Sequence, residues 1–201
     1  MWNDLFYANI NHDVFNGGNK ATRGYTAHYS VPYGYWTLSA TASGYRYRQG
    51  VAGYSQNYLY SGTSENAEMR LSRLLYRDAS RKTSLYGRGW MRKSNHFIDD
   101  TEIEVQRRRT SGWELGLSHR EYLGKGTLDA SFAYRRGTGA FHAMPAPEED
   151  FGEGSSRMKV FTAEAQLMAP LSLGSQSARY IGSWRAQWDR TPLVPQDRFS
   201  I

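Results

Sequence analysis

Apolar and polar residues alternate with a period of two along most of the chain. Over residues 35–44, Trp36, Leu38, Ala40 and Ala42 fall on one face, and Tyr35, Thr37, Ser39, Thr41 and Ser43 on the other. Residues 113–120 set Trp113, Leu115 and Leu117 against Glu114, Gly116, Ser118 and Arg120. Residues 127–135 set Leu128, Ala130, Phe132 and Tyr134 against Asp129, Ser131, Ala133 and Arg135. Residues 160–169 set Phe161, Ala163, Ala165 and Leu167 against Thr162, Glu164, Gln166 and Met168. In residues 178–189, Tyr180, Gly182, Trp184, Ala186 and Trp188 oppose Arg179, Ser183, Arg185, Gln187 and Asp189, with Ile181 out of step. Side chains of a strand point to opposite faces in turn, so this pattern predicts strands. Weaker copies lie at 4–14, 24–32, 66–77 and 81–93. In 66–77 the phase slips after Leu71, where Arg73 takes an apolar position; a bulge or a rim position accounts for that. The sum is about nine strands of roughly ten residues, with no helical stretch.

The connections alternate in kind. Pro32-Tyr33-Gly34, Arg77-Asp78-Ala79-Ser80, Leu123-Gly124-Lys125-Gly126 and Leu173-Gly174-Ser175-Gln176 read as short turns. Residues 16–23, 49–65, 94–101 and 137–157 read as long loops. Short turns at one end and long loops at the other fit an outer-membrane barrel, and nothing requires that arrangement of a soluble sandwich. Tyr33, Tyr35, Trp36, Tyr76, Tyr122 and Tyr180 gather beside the short turns, as an interfacial aromatic girdle would.

Composition sharpens this picture. The chain has 201 residues, no cysteine, 15 Tyr, 6 Trp and 20 Gly, with a net charge of +6. Mean hydropathy is −0.70. Its apolar runs are too short for a transmembrane helix of about 20 residues. A barrel with one wet and one greasy face averages to the same hydropathy as a soluble protein. The apolar face is rich in Ala, Gly, Trp and Tyr and poor in Ile and Val, which suits lipid better than a close-packed core. Absence of cysteine excludes disulfides and thiolate chemistry.

Candidate chemistry is sparse. His12, His28, His96, His119 and His142 show no metal-ligand spacing, so no metal is expected. There is no Gly-x-Ser-x-Gly nucleophile elbow. Gly124-x-Gly126 reads as a turn, not a dinucleotide loop. The adjacent Asp99 and Asp100 are ordinary loop composition. No catalytic residue and no cofactor are expected. Arg107-Arg108-Arg109 could contact phosphates, of lipopolysaccharide above a membrane sooner than of nucleic acid.

Ser30-Val31-Pro32-Tyr33-Gly34-Tyr35-Trp36-Thr37-Leu38, followed by Tyr45-Arg46-Tyr47-Arg48, resembles the barrel of the two-partner-secretion transporters, the hemolysin secretion/activation proteins. The turn Pro32, Tyr33, Gly34, Tyr35, Trp36 is the most specific piece. Residues 69–77 with Lys82-Thr83, residues 113–119 and residues 180–184 look like further strands of that family, in order along nearly the whole chain. The resemblance implies an all-β, antiparallel transmembrane barrel segment of about nine strands from a 16-stranded barrel. The family's periplasmic domains and plug helix are expected before Met1, and its Arg-Gly-Phe loop and last strands after Ile201. Residues 1–201 would then be part of one barrel domain with open edges, unable to form a pore alone.

The implied role is export of a large exoprotein, such as a hemolysin, adhesin or contact-dependent-inhibition toxin, across the outer membrane of a Gram-negative bacterium. The expected partners are that exoprotein and outer-membrane lipid and lipopolysaccharide, with no nucleic acid. The polar-face residues Arg70, Arg88, Glu114, Asp129, Glu164 and Arg185 are the expected lumen lining. A barrel enzyme or adhesin, or a soluble β-rich binding module, are the alternatives.

Overall fold

The computed structural model describes residues 3–13, 20–54, 57–173 and 176–198. It is one antiparallel sheet. The strands are β1 (Leu5–His12), β2 (Lys20–Tyr33), β3 (Trp36–Ala52), β4 (Asn57–Arg77), β5 (Arg81–Ile98), the two-residue β6 (Thr101–Glu102), β7 (Arg108–Leu123), β8 (Gly126–Thr138), β9 (Lys159–Leu173) and β10 (Gln176–Asp189). Each pairs with its chain neighbour in the order β1-β2-β3-β4-β5-β7-β8-β9-β10, with β6 a short spur on β5. The described residues hold no α-helix, only short 3-10 turns. Among the described residues the sheet does not close, so β1 and β10 each have one neighbour.

Nine strands on the main path match the number the alternation predicts, but most are longer than ten residues; β4 has 21. Strand pairing continues past the point where the outer face turns polar, because backbone hydrogen bonds do not need apolar side chains. Two expected loops are therefore largely strand. β3 reaches Ala52 and β4 starts at Asn57, and β5 reaches Ile98 before the Asp99-Asp100 turn, where both residues have positive φ. The phase slip in β4 is a register shift between Leu74 and Tyr76 against β5. Arg73, just before it, lies over the Trp36 ring at 5.1 Å. Gly34 and Gly124 carry φ of 58° and 62° in their turns, a conformation open to glycine at little cost. The turn expected at 173–176 and the start of the loop at 16–23 involve residues outside those described.

Candidate functional site

Directly opposed residues of an antiparallel pair share a face, so the register fixes the faces. Arg70 opposes Arg88, Arg88 opposes Glu114, and Glu114 opposes Arg135. Asp129 lies six positions from Arg135 on β8; Arg135 opposes Val160, four positions from Glu164, and Glu164 opposes Arg185. The six charged residues proposed for one lining thus occupy a single face. The other face carries Leu38 (46% exposed), Trp113 (40%), Leu115 (51%) and Trp184 (56%).

The polar face is braced by charge pairs. Glu114, only 6% exposed, accepts hydrogen bonds from Arg88 Nη2 at 2.6 Å, Arg135 Nε at 2.9 Å and Tyr86 Oη at 3.0 Å. Arg88 also donates to Glu68 at 3.2 Å. Arg70 stacks on the Tyr86 ring at 3.8 Å. Further along, Arg120 grips Asp129 through two nitrogens, and Arg185 faces Glu164 at 3.8 Å. These pairs brace the middle of the face, which keeps an excess of cations through Arg70, Lys82 and Arg92. Tyr86 sits over Gly116, where an added Cβ would lie 2.5 Å from the ring carbon bearing the hydroxyl; the glycine makes room for the phenol that reaches Glu114. Tyr47 uses Gly62 in the same way, and its hydroxyl meets His96 Nδ1 at 3.1 Å.

Sequence reasoning singled out Glu114 as one charge among several; its central position comes from cross-strand neighbours 26 and 21 residues away. It also missed an apolar lobe at the long-loop end of the polar face. There Met158, Val160 and Leu193 form the buried cluster with Trp90 packed against it. The segment before it turns through 3-10 elements at Ala140–His142 and Pro147–Phe151. Glu149 ties the lobe together. Burial opposes its charge, yet the Ser155 hydroxyl and the Ser156 N–H and hydroxyl hold its carboxyl below the ordinary range.

Of the three consecutive arginines, two are occupied internally. Arg107 pairs with Glu102 at 2.6 Å and Arg108 with Glu148 at 2.9 Å. Tyr122, expected in the girdle, shares the polar face with Arg120, two residues away on β7. A second aromatic row spans the outer face nearer the long loops, with Tyr134 opposing Phe161 and Phe161 opposing Trp188. Trp113 meets Tyr134 edge-on at 5.6 Å. Among the described residues, no three His, Asp or Glu side chains gather into a metal-binding set.

The surface area is not that of a compact soluble domain. A compact soluble chain of this mass exposes about 9,600 Å²; this one exposes 14649 Å². Its buried apolar residues are few, whereas Phe, Leu, Trp and Tyr side chains line the outer face. A continuous apolar belt bounded by aromatic rows belongs in hydrocarbon. Among the described residues no helix is long and apolar enough to cross a membrane, which says nothing of strands. Fold and faces together define a segment of a transmembrane β-barrel wall.

The comparisons with known proteins agree. The family model described as haemolysin secretion/activation protein ShlB/FhaC/HecB matches residues 1–201. The chain belongs to this family, and its place is the outer membrane. It is 29% identical over 99% of its length to the outer membrane transporter CdiB-2 of Burkholderia pseudomallei, covering 34% of that protein. The hemolysin transporter protein ShlB of Serratia marcescens is 26% identical, with 98% of the chain and 35% of that protein covered. The structure of CdiB from Acinetobacter baumannii superposes with a TM-score of 0.79 at 35% identity, over 98% of this chain and 34% of that one. CdiB from Escherichia coli, at 20% identity, shares the fold with a TM-score of 0.84, over 94% of this chain and 35% of that one. The chain spans about a third of the length of these relatives.

Proposed function

We propose that this chain forms part of the wall of an outer-membrane pore that exports one large exoprotein by two-partner secretion, the exoprotein being a hemolysin, adhesin or contact-dependent-inhibition toxin. The carrying observation is the division of one sheet into an apolar belt and a polar face on which Arg88, Arg120, Arg135 and Arg185 are each met by a carboxylate. In the closed barrel the polar face lines the conduit. Arg88, Glu114 and Asp129, held in short pairs, keep the wall rigid. Arg70, Glu164 and Arg185 offer a passing extended chain weak, exchangeable contacts, so that it can leave as well as enter. The work is transport without catalysis, which the sparse chemistry of the sheet supports. The remainder of the barrel and any periplasmic substrate-capturing parts come from the rest of the protein.

Cysteine accessibility in the full-length transporter tests the assignment. Glu164→Cys and Arg185→Cys should react with a water-soluble maleimide and be shielded while exoprotein is stalled in transit. Trp184→Cys should react only with a lipid-soluble reagent. Labelling of the Trp184 position by the water-soluble reagent, with Glu164 silent, would reverse the faces and sink the proposal.

A further inference from the structure

Cations gather without carboxylate partners toward the long-loop end of the outer face. On the polar face, Arg88, Arg120, Arg135 and Arg185 each have a carboxylate partner, whereas Arg70, Lys82 and Arg92 form no salt bridge among the described residues. On the outer face Arg23, Arg46, Arg48, Lys93, Arg136 and Lys159 form no salt bridge among the described residues. Two pairs of them are directly opposed, Arg23 with Arg46 and Arg136 with Lys159, and all four of these side chains are exposed. Like charges set side by side on neighbouring strands destabilise a sheet unless an anion lies between them. Glu65, opposite Lys93, forms no salt bridge, and Glu102 on the same face is taken by Arg107 and Asn95.

All six stand far from the short turns. Counted from the short-turn end of its strand, Arg23 lies ten positions from Tyr33, Arg46 ten from Trp36 and Arg136 ten from Gly126 (33 − 23, 46 − 36, 136 − 126), while Arg48 and Lys93 lie twelve positions up (48 − 36, 93 − 81) and Lys159 fourteen (173 − 159). At a rise of about 3.3 Å per residue and a tilt of about 40°, ten residues climb about 25 Å. That is the height of the apolar band of an outer-membrane barrel. The cations therefore stand where the band ends on the long-loop side, Arg136 and Lys159 just beyond the aromatic row of Tyr134, Phe161 and Trp188, and Arg23 and Arg46 just beyond Tyr25.

We propose that this outer rim is a binding site for the phosphorylated glycolipid of the outer leaflet, lipopolysaccharide, whose lipid A phosphates sit between the opposed cations while its acyl chains cover the aromatic row. The inference rests on the barrel reading of the sheet but not on export, since lipid occupancy is its readout.

The test uses the full-length transporter, purified folded in detergent, with bis-phosphorylated lipid A, its dephosphorylated form and phosphatidylglycerol as probes and native mass spectrometry as the readout. Wild type should retain bis-phosphorylated lipid A. Removal of the phosphates, or the triple change Arg23→Gln, Arg46→Gln, Arg48→Gln, should weaken retention at least about tenfold. Arg73→Gln, at the short-turn end of the outer face, should leave it unchanged. A heat-modifiable band reports folding; if the triple variant lacks it, Arg136→Gln with Lys159→Gln reads the same question. Unchanged retention by a folded rim variant, equal loss with Arg73→Gln, or equal retention of phosphatidylglycerol would each overturn the proposal.

Discussion

Glu114 is the place where the sheet is most sensitive to a single change. Replacing it with Ala removes one acceptor group that three side chains share, Arg88, Arg135 and Tyr86. Breaking a fully buried ion pair from one side costs about 3–5 kcal/mol, because the surviving charge is left without a partner. Here the survivors keep some access to water: the Arg88 and Arg135 side chains are 21% and 32% exposed. Solvent and Glu68 therefore recover part of the loss, and the expected cost is about 2–4 kcal/mol. Glu114→Gln, which keeps the shape and loses the charge, should cost less, about 1–2 kcal/mol. The assay is reversible urea unfolding of the full-length transporter in lipid vesicles, followed by tryptophan fluorescence. A cycle with Arg88→Ala separates the pair from the background, since removing both partners should cost clearly less than the sum of the two single changes. A cost under about 1 kcal/mol for Glu114→Ala, or strict additivity in the cycle, would refute the account of the polar face as a braced wall.

Other outcomes follow from the same geometry. Gly116→Val should push the Tyr86 ring off its seat and break the hydroxyl contact with Glu114, destabilising the barrel by about 1–3 kcal/mol in the same assay, with little further loss when Tyr86→Phe is already present. Leu115→Arg, on the apolar belt, should cost about 2–4 kcal/mol if the residue lies near the bilayer midplane, whereas Ser118→Arg on the polar face should cost much less; equal costs would argue against the assigned faces. In the β4–β5 turn, the Tyr76 hydroxyl and the Ser80 and Arg81 amides hold the Asp78 carboxyl down to about 2. Its folded-state value lies below its unfolded one, so its stabilising effect is present at neutral pH and fades as pH falls from about 4 to about 2. Asp78→Asn should lower the melting temperature at pH 7 and converge with wild type near pH 2; a constant difference across that range would count against the turn account. Glu149→Gln should expose the 140–157 segment to protease while leaving the heat-modifiable band intact, and unchanged cleavage would separate Glu149 from the order of the lobe.

Much of this protein is written in local sequence, because the two faces of a strand are set by the parity of position alone. Trp36, Leu38 and Trp184 could be assigned to one side, and Glu114, Asp129 and Glu164 to the other, without any knowledge of which strands pair. The short turns were equally legible, since Gly34 and Gly124 mark positions where the backbone turns back on itself. The slip at Arg73 announced the register shift beside Leu75. Tertiary structure decided what depends on neighbours distant in the chain. The length of β4 could not be read off, because alternation fades where the outer face becomes polar while backbone pairing continues. That Glu114 is shared by Arg88 and Arg135 is a consequence of register. So is the contrast between Arg107, occupied by Glu102, and Arg23 and Arg46, set side by side with no salt bridge among the described residues. The apolar lobe of Met158, Val160 and Leu193 joins a loop to a segment more than thirty residues on (193 − 158), and only the folded sheet brings them together. Side-chain direction is local and periodic; cross-strand company is neither, and the wall's charge balance is made of that company.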